Sequence, residues 1–178
     1  VSAGYCHCLW HRCSGARCNP PRLGTYLMAS VKRVIYPPMW LAFGIVTQFV
    51  CNEYLPGARF TSTAGQVAGS VILLAGLAML VVAGGLFKQA DTDLIPFKDV
   101  RALVTSGVYR FTRNPMYLGM ALVLLGCAVV VGAATAFLVP VVFAVIIQFR
   151  FILPEEQMLI ALFPEEFPAY CRRVRRWI

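Results

Sequence analysis

Charge is scarce in this 178-residue sequence: Asp, Glu, Lys and Arg make up 13% of it, while 59% is hydrophobic. Soluble domains carry about 25% charged residues, so this balance excludes an ordinary water-soluble globule and leaves one membrane domain. Acid is scarcer still, with 8 Asp and Glu against 16 Lys and Arg and a formal net charge of +8. A nucleic-acid-binding protein spreads its basic residues over a folded polar surface, and the sequence has none to offer, so that function class is excluded. The cysteines lack the paired C-x2-C spacing of a zinc framework. Residues 1–27 gather Cys6, His7, Cys8, His11, Cys13 and Cys18 among arginines without apolar periodicity. The stretch has no apolar core before its basic part ends, which excludes a signal peptide. It reads as a disordered or start-site extension, no metal being assigned, followed by a membrane domain over 28–178. Cys51, Cys127 and Cys171 are dispersed and read as packing residues.

What is abundant is apolar length. A hydrocarbon layer of about 30 Å needs about 20 apolar residues, and four segments approach this: 38–55, 66–87, 115–133 and 134–153. The sequence therefore predicts an all-α integral-membrane fold with four transmembrane helices. The first segment carries Thr47, Gln48, Cys51 and Asn52, so an interfacial or half-buried helix is its alternative reading. Lys32 and Arg33, then Lys88, Lys98, Arg101, Arg110 and Arg113, then the arginines at 172, 173, 175 and 176 all fall on one side. The other side has Glu53, Arg59 and an uncharged Gly132-Ala133-Ala134 turn. By the positive-inside rule both termini are cytoplasmic.

The polar chemistry concentrates in LVTSGVYRFTRNPMYLG at 103–119, where a basic loop runs into an apolar helix. Irregular polar backbone at a membrane face is expensive unless it lines a site. The connection over 88–114 is too long for an idle turn and too apolar for disorder, so it reads as a pocket wall, with Gly107 permitting a tight turn. Asn114 suits an N-cap that accepts from free amides, and Pro115 suits a first helical position. Gly119 and Gly126 share one helix face; Gly69, Gly76 and Gly84 form a similar stripe that suits close helix packing. Pro154 restarts a helix after the fourth span, with Glu155 and Glu156 in its first turn, complementing the positive helix end or meeting a ligand. The arginine-rich end with Trp177 suits a headgroup layer.

Taken together, LVTSGVY at 103–109, RNPMYLG at 113–119, EEQML from 155 and FPEEFPAY at 163–170 resemble the integral-membrane methyltransferases that include isoprenylcysteine carboxyl methyltransferases and phospholipid N-methyltransferases. The resemblance covers about residues 65–178. It implies methyl transfer from S-adenosylmethionine to an amphiphilic or lipid-like acceptor, with a cytoplasmic loop and C-terminal helices forming the cofactor pocket. It places Arg101, Leu103, Val104 and Tyr109 in the pocket wall, Asn114, Pro115, Met116 and Tyr117 beside the cofactor, and Glu155 at its closure. The chemistry is consistent: a carboxylate accepts from hydroxyl or ammonium groups, an arginine holds a carboxylate, and tyrosine rings face a cation or purine. In-line methyl transfer needs alignment more than a dedicated base. Arg150 and Glu156 are the candidates for orienting the acceptor. Asn114 stands where the carboxyl methyltransferase branch has His, which moves the chain toward the phospholipid branch, and Pro164 replaces a common Gly.

Two other classes fit parts of the pattern. A membrane reductase of the sterol or steroid type shares an R-x-P-x-Y segment and uses a reduced nicotinamide dinucleotide, but it wants a larger basic pocket than this short chain provides. A non-catalytic membrane scaffold explains the spans and the charge and leaves Tyr117 and the acid pair without a role.

Overall fold

A computed structural model describes residues 37–55, 57–60, 62–89 and 103–178, apart from the side chains of 87–89. The expected extension at 1–27, Lys98 and Arg101 lie outside the described residues. Among those described, the elements are helical: α1 (Pro37–Tyr54), α2 (Thr63–Gln89), a 3-10 turn (Gly107–Arg110), α3 (Pro115–Val131), a second 3-10 turn (Ala134–Phe137), α4 (Leu138–Ile147), a π-helical turn (Gln148–Ile152), α5 (Leu153–Leu162) and α6 (Glu166–Arg173). Among the described residues, the β geometry is two isolated bridges, Arg59 with Ala133 and Thr112 with Arg175.

Among the described residues, two helical runs are long and apolar enough to cross a membrane, Thr63–Leu86 and Ala134–Leu162, and α3 is apolar but shorter, at 17 residues. The second run qualifies the reading of Pro154. The α-helix restarts at Leu153 with Pro154 in its first turn, as expected, but without a break: the chain stays helical from Ala134 to Leu162. Proline offers no N–H, and its ring crowds the carbonyl four residues back. The preceding turn is π-helical, with the Leu153 N–H bonding the Gln148 carbonyl five residues earlier. The wider turn relieves the crowding and lets the helix pass through the proline.

α2 and α3 meet through glycine. A Cβ on Gly76 would lie 2.8 Å from the Gly119 carbonyl oxygen, and one on Gly126 would lie 2.6 Å from the Leu73 nitrogen. Gly69 stands equally close to Val130 and to the Gly126 carbonyl. Gly69 and Gly76 of the one stripe and Gly119 and Gly126 of the other therefore form a packing seam, as small residues do in lipid-embedded helix pairs. The remaining core is aromatic and aliphatic: Tyr117, Met120, Leu124, Phe143, Ile147, Phe151 and Ile152, lined by Trp40, Ile45 and Leu80.

α1 joins this core by a polar stitch. Gln48 is fully buried, and its Nε2 donates to the Leu124 carbonyl at 2.8 Å and the Ala136 carbonyl at 3.3 Å. Thr47 returns its hydroxyl to the Phe43 carbonyl at 2.8 Å. The Thr47 hydroxyl and the Gln48 amide N–H, two of the polar groups that weakened α1 as a span, thus find acceptors within the helices. At the far end from the 103–114 loop, Gly132 closes α3 with φ 68°, a left-handed cap that glycine adopts without steric cost. There the Phe60 N–H donates to the Gly132 carbonyl at 2.8 Å and the Ala134 N–H to the Ala58 carbonyl at 2.9 Å, clipping the two connections together.

Candidate active site

The opposite end of the bundle collects the polar side chains. Its floor is the turn at 107–110, whose Gly107 has φ 58° and leaves no room for a Cβ, which would meet Leu86 Cδ1 at 2.7 Å. This turn buries Tyr109. The Tyr170 hydroxyl donates to the Tyr109 carbonyl at 2.5 Å, tying the turn to α6. Leu103 packs on Phe167, Tyr170 and Val174, and Val104 beside it is half-buried.

α3 begins directly above. Pro115 holds the first helical position, as its fixed torsion suits. Asn114 departs from expectation: its side chain makes no capping bond. Instead, Nδ2 donates to the Arg176 carbonyl at 3.0 Å. Met116 is half-buried and Tyr117 buried. The Tyr117 hydroxyl donates to Glu155 Oε2 at 3.0 Å, linking the first turn of α3 to the first turn of α5. Glu155 also lies near enough to Tyr109 for its charge to oppose a phenolate, second to burial, and the Tyr109 hydroxyl is held well above the usual tyrosine range. Burial likewise pushes the Tyr170 hydroxyl up to about 12, with Arg113 pulling the other way.

The two residues expected to orient an acceptor are placed very differently. Arg150 is exposed on the π-helical turn. Glu156 is only 12% exposed in its side chain and is gripped by two arginines: Arg113 Nη2 at 3.3 Å from Oε1, and Arg176 with Nε at 3.0 Å from Oε1 and Nη2 at 2.5 Å from Oε2. Its Oε1 meets both arginines and its Oε2 meets Arg176, which is bound bidentately. That bidentate bond raises the Arg176 guanidinium further above its ordinary value. Arg113 also donates to the Cys171 sulfur, while its Nε is buried without a hydrogen-bond partner.

Sequence reasoning thus brought Leu103, Tyr109, Asn114, Tyr117 and Glu155 to one end of the fold. It missed the arginine pair on Glu156 and the tail that carries half of it. Arg176 reads in the sequence as topological charge, Arg113 stands out only within the RNPMYLG segment, and no local spacing joins residues 20 apart across a chain reversal.

Comparison with known proteins agrees with this layout. No curated relative and no solved structure matches the chain. The family model for phospholipid methyltransferase matches residues 64–166, which include α2, the 107–110 turn, α3 and the acid-bearing start of α5. That match covers more than half of the sequence and contains Tyr109, Tyr117 and Glu155, and on it the chain belongs to the phospholipid methyltransferase family.

Proposed function

We propose that the protein transfers a methyl group from S-adenosylmethionine to an amphiphilic, lipid-like acceptor at the cytoplasmic face of a membrane that it crosses four times, with both termini cytoplasmic. The observation that carries this reading is the Tyr117 to Glu155 hydrogen bond, because it joins two segments that carry the sequence resemblance, RNPMYLG and EEQML, both within the matched residues.

The donor set suits the cofactor. Arg113 Nε is buried and lacks an acceptor, which an amino-acid carboxylate supplies. Glu155 is half-buried and carries acceptor oxygens for hydroxyl or ammonium groups. Tyr109 and Tyr170 stay neutral, presenting ring faces without phenolate charge. Arg101, Leu103, Val104 and Tyr109 form the wall in this reading, with Asn114, Pro115, Met116 and Tyr117 beside the cofactor. When bound, S-adenosylmethionine supplies a methyl group on a sulfonium, ready for in-line displacement. The protein's share is to align the partners and exclude water, a contribution of about 7–11 kcal/mol in favourable cases. Arg150, exposed between Phe149 on the apolar surface and buried Phe151, is the group left to meet the acceptor's polar head. The four-span reading is supported by α1 and α3 packing with the two longer runs around one core.

The test is calorimetry with S-adenosylhomocysteine in detergent. Glu155→Ala should weaken binding by about 1.5–3 kcal/mol, as for a lost hydrogen bond to a charged group. Equal binding by mutant and parent places the cofactor elsewhere. A preference for a reduced nicotinamide dinucleotide overturns the methyl-transfer reading in favour of the reductase class.

A further inference from the structure

The last residues of the chain cross the start of α3 as a strap. Arg175 lends its carbonyl to the Arg113 N–H at 2.9 Å. The Arg176 carbonyl accepts from Thr112 Oγ1 at 3.2 Å and Asn114 Nδ2 at 3.0 Å, and its guanidinium grips both oxygens of Glu156. Trp177 Nε1 donates to Gln148 Oε1 at 2.8 Å. Three consecutive residues therefore bind the start of α3, the start of α5 and the π-helical turn, the segments from which Tyr117, Glu155 and Arg150 project.

We propose that Arg176 is a positioning residue for the cofactor site, acting through Glu156 and Asn114 on Arg113 and Glu155; this deepens the methyltransferase reading and rests on it. Asn114 sits where an asparagine ordinarily caps its own helix, yet its carboxamide is given to the Arg176 carbonyl, so local capping is forgone for a long-range tie. Arg113 and Arg176 share Glu156, and the bidentate grip of Arg176 leaves Arg113 a single contact with the carboxylate. Without Arg176, both oxygens of Glu156 fall to Arg113, which turns toward them and withdraws its Nε. The first turn of α5 turns with Glu156, moving Glu155 away from Tyr117. A bidentate fork has an orientation that a point charge lacks, so Lys at 176 restores attraction without restoring alignment.

The experiment compares Arg176→Ala, Arg176→Lys and Trp177→Phe in the full chain, reading the S-adenosylhomocysteine Kd, the KM values for cofactor and for a long-chain acceptor, and the melting temperature. Arg176→Ala should raise the cofactor Kd and KM about tenfold or more, as for loss of a charge-assisted pair. The acceptor KM should change less than about twofold, because Arg176 acts on the cofactor side. Arg176→Lys should fall between parent and alanine, which settles the matter if the alanine variant fails to fold. Trp177→Phe loosens the same strap without touching Glu156 and should leave the cofactor Kd within about twofold of the parent. Unchanged cofactor binding in Arg176→Ala, or equal losses in Arg176→Ala and Trp177→Phe, overturns the positioning role while the methyltransferase reading stands. A parent protein that binds no S-adenosylhomocysteine overturns both.

Discussion

Tyr170 joins two parts of the fold: its ring packs with Phe167 and Val174, and its hydroxyl holds the Tyr109 carbonyl. Because burial raises its pKa from 10.0 to about 12, the folded state keeps a proton that the unfolded chain releases. The resulting stability is complete below the ordinary tyrosine value and is lost as pH rises toward about 12. Cys171 shifts the same way for the same first cause, from an ordinary 9.0, despite the opposing pull of Arg113. Melting temperature should therefore be level from about pH 7 to about pH 8.5 and fall at higher pH, with Tyr170→Phe flattening the upper part of the fall. An alkaline decline of unchanged size in that variant would remove Tyr170 from the account. Gln48 gives a second residue-scale prediction. Gln48→Met keeps the volume and deletes the donor to Leu124 and Ala136, and should lower stability by about 0.6–1.7 kcal/mol in reversible unfolding from mixed micelles. At this scale the sequence was legible wherever a motif is contiguous, as for Tyr117. It was illegible at Glu156, whose neighbours in sequence give no sign of Arg176.

Among the elements, the α2–α3 seam makes the sharpest demand on sequence. Gly126→Ala forces a Cβ into the Leu73 and Gly69 backbone, which cannot swing aside as a side chain can, and should cost about 1–3 kcal/mol. Gly85→Ala is the control: nothing lies within 4 Å of a Cβ there, so it should be neutral or stabilising by up to about 1 kcal/mol. Thermal melts of the two variants side by side check this, and a loss at Gly85 as large as at Gly126 would contradict the seam. The glycine spacing announced this contact because seven residues return to the same helix face. Pro154 sits at the expected α-helical restart, but the unbroken passage of the helix through it was not legible. Proline ordinarily ends a regular α-helix, and widening a turn to π geometry depends on packing around Phe151 and Ile152 that no local pattern reveals. Asn114 misled similarly: its position is right for a cap, and only the returning tail shows where its carboxamide goes.

For the whole molecule, the polar cluster sits at one end of a bundle whose flanks are apolar, with Val71, Leu74 and Val81 of α2 and Val141 and Val145 of α4 exposed. An acceptor that approaches sideways keeps its tail against such surfaces while its head meets the site. Across a chain-length series incubated with labelled cofactor, kcat/KM should fall about fourfold per methylene removed, from ~0.8 kcal/mol of burial each. Equal turnover of short and long acceptors would exclude lateral approach. The helical character was legible from bulk composition, since long apolar segments in lipid must satisfy their own backbone groups. The site's assembly was less so, because it depends on contacts between segments far apart in sequence. Gln48 carries one more consequence, for biogenesis. Its two acceptors are synthesised 76 and 88 residues after it. Among the described side chains of α2, the Ser70 hydroxyl bonds the Gln66 carbonyl within its own helix at 2.8 Å. A nascent chain can therefore leave α2 alone in the bilayer, whereas the Gln48 carboxamide N–H finds its acceptors only when the α3–α4 hairpin arrives. The order of synthesis and the order of settling are reversed, and the helix made first is the one that locks into place late.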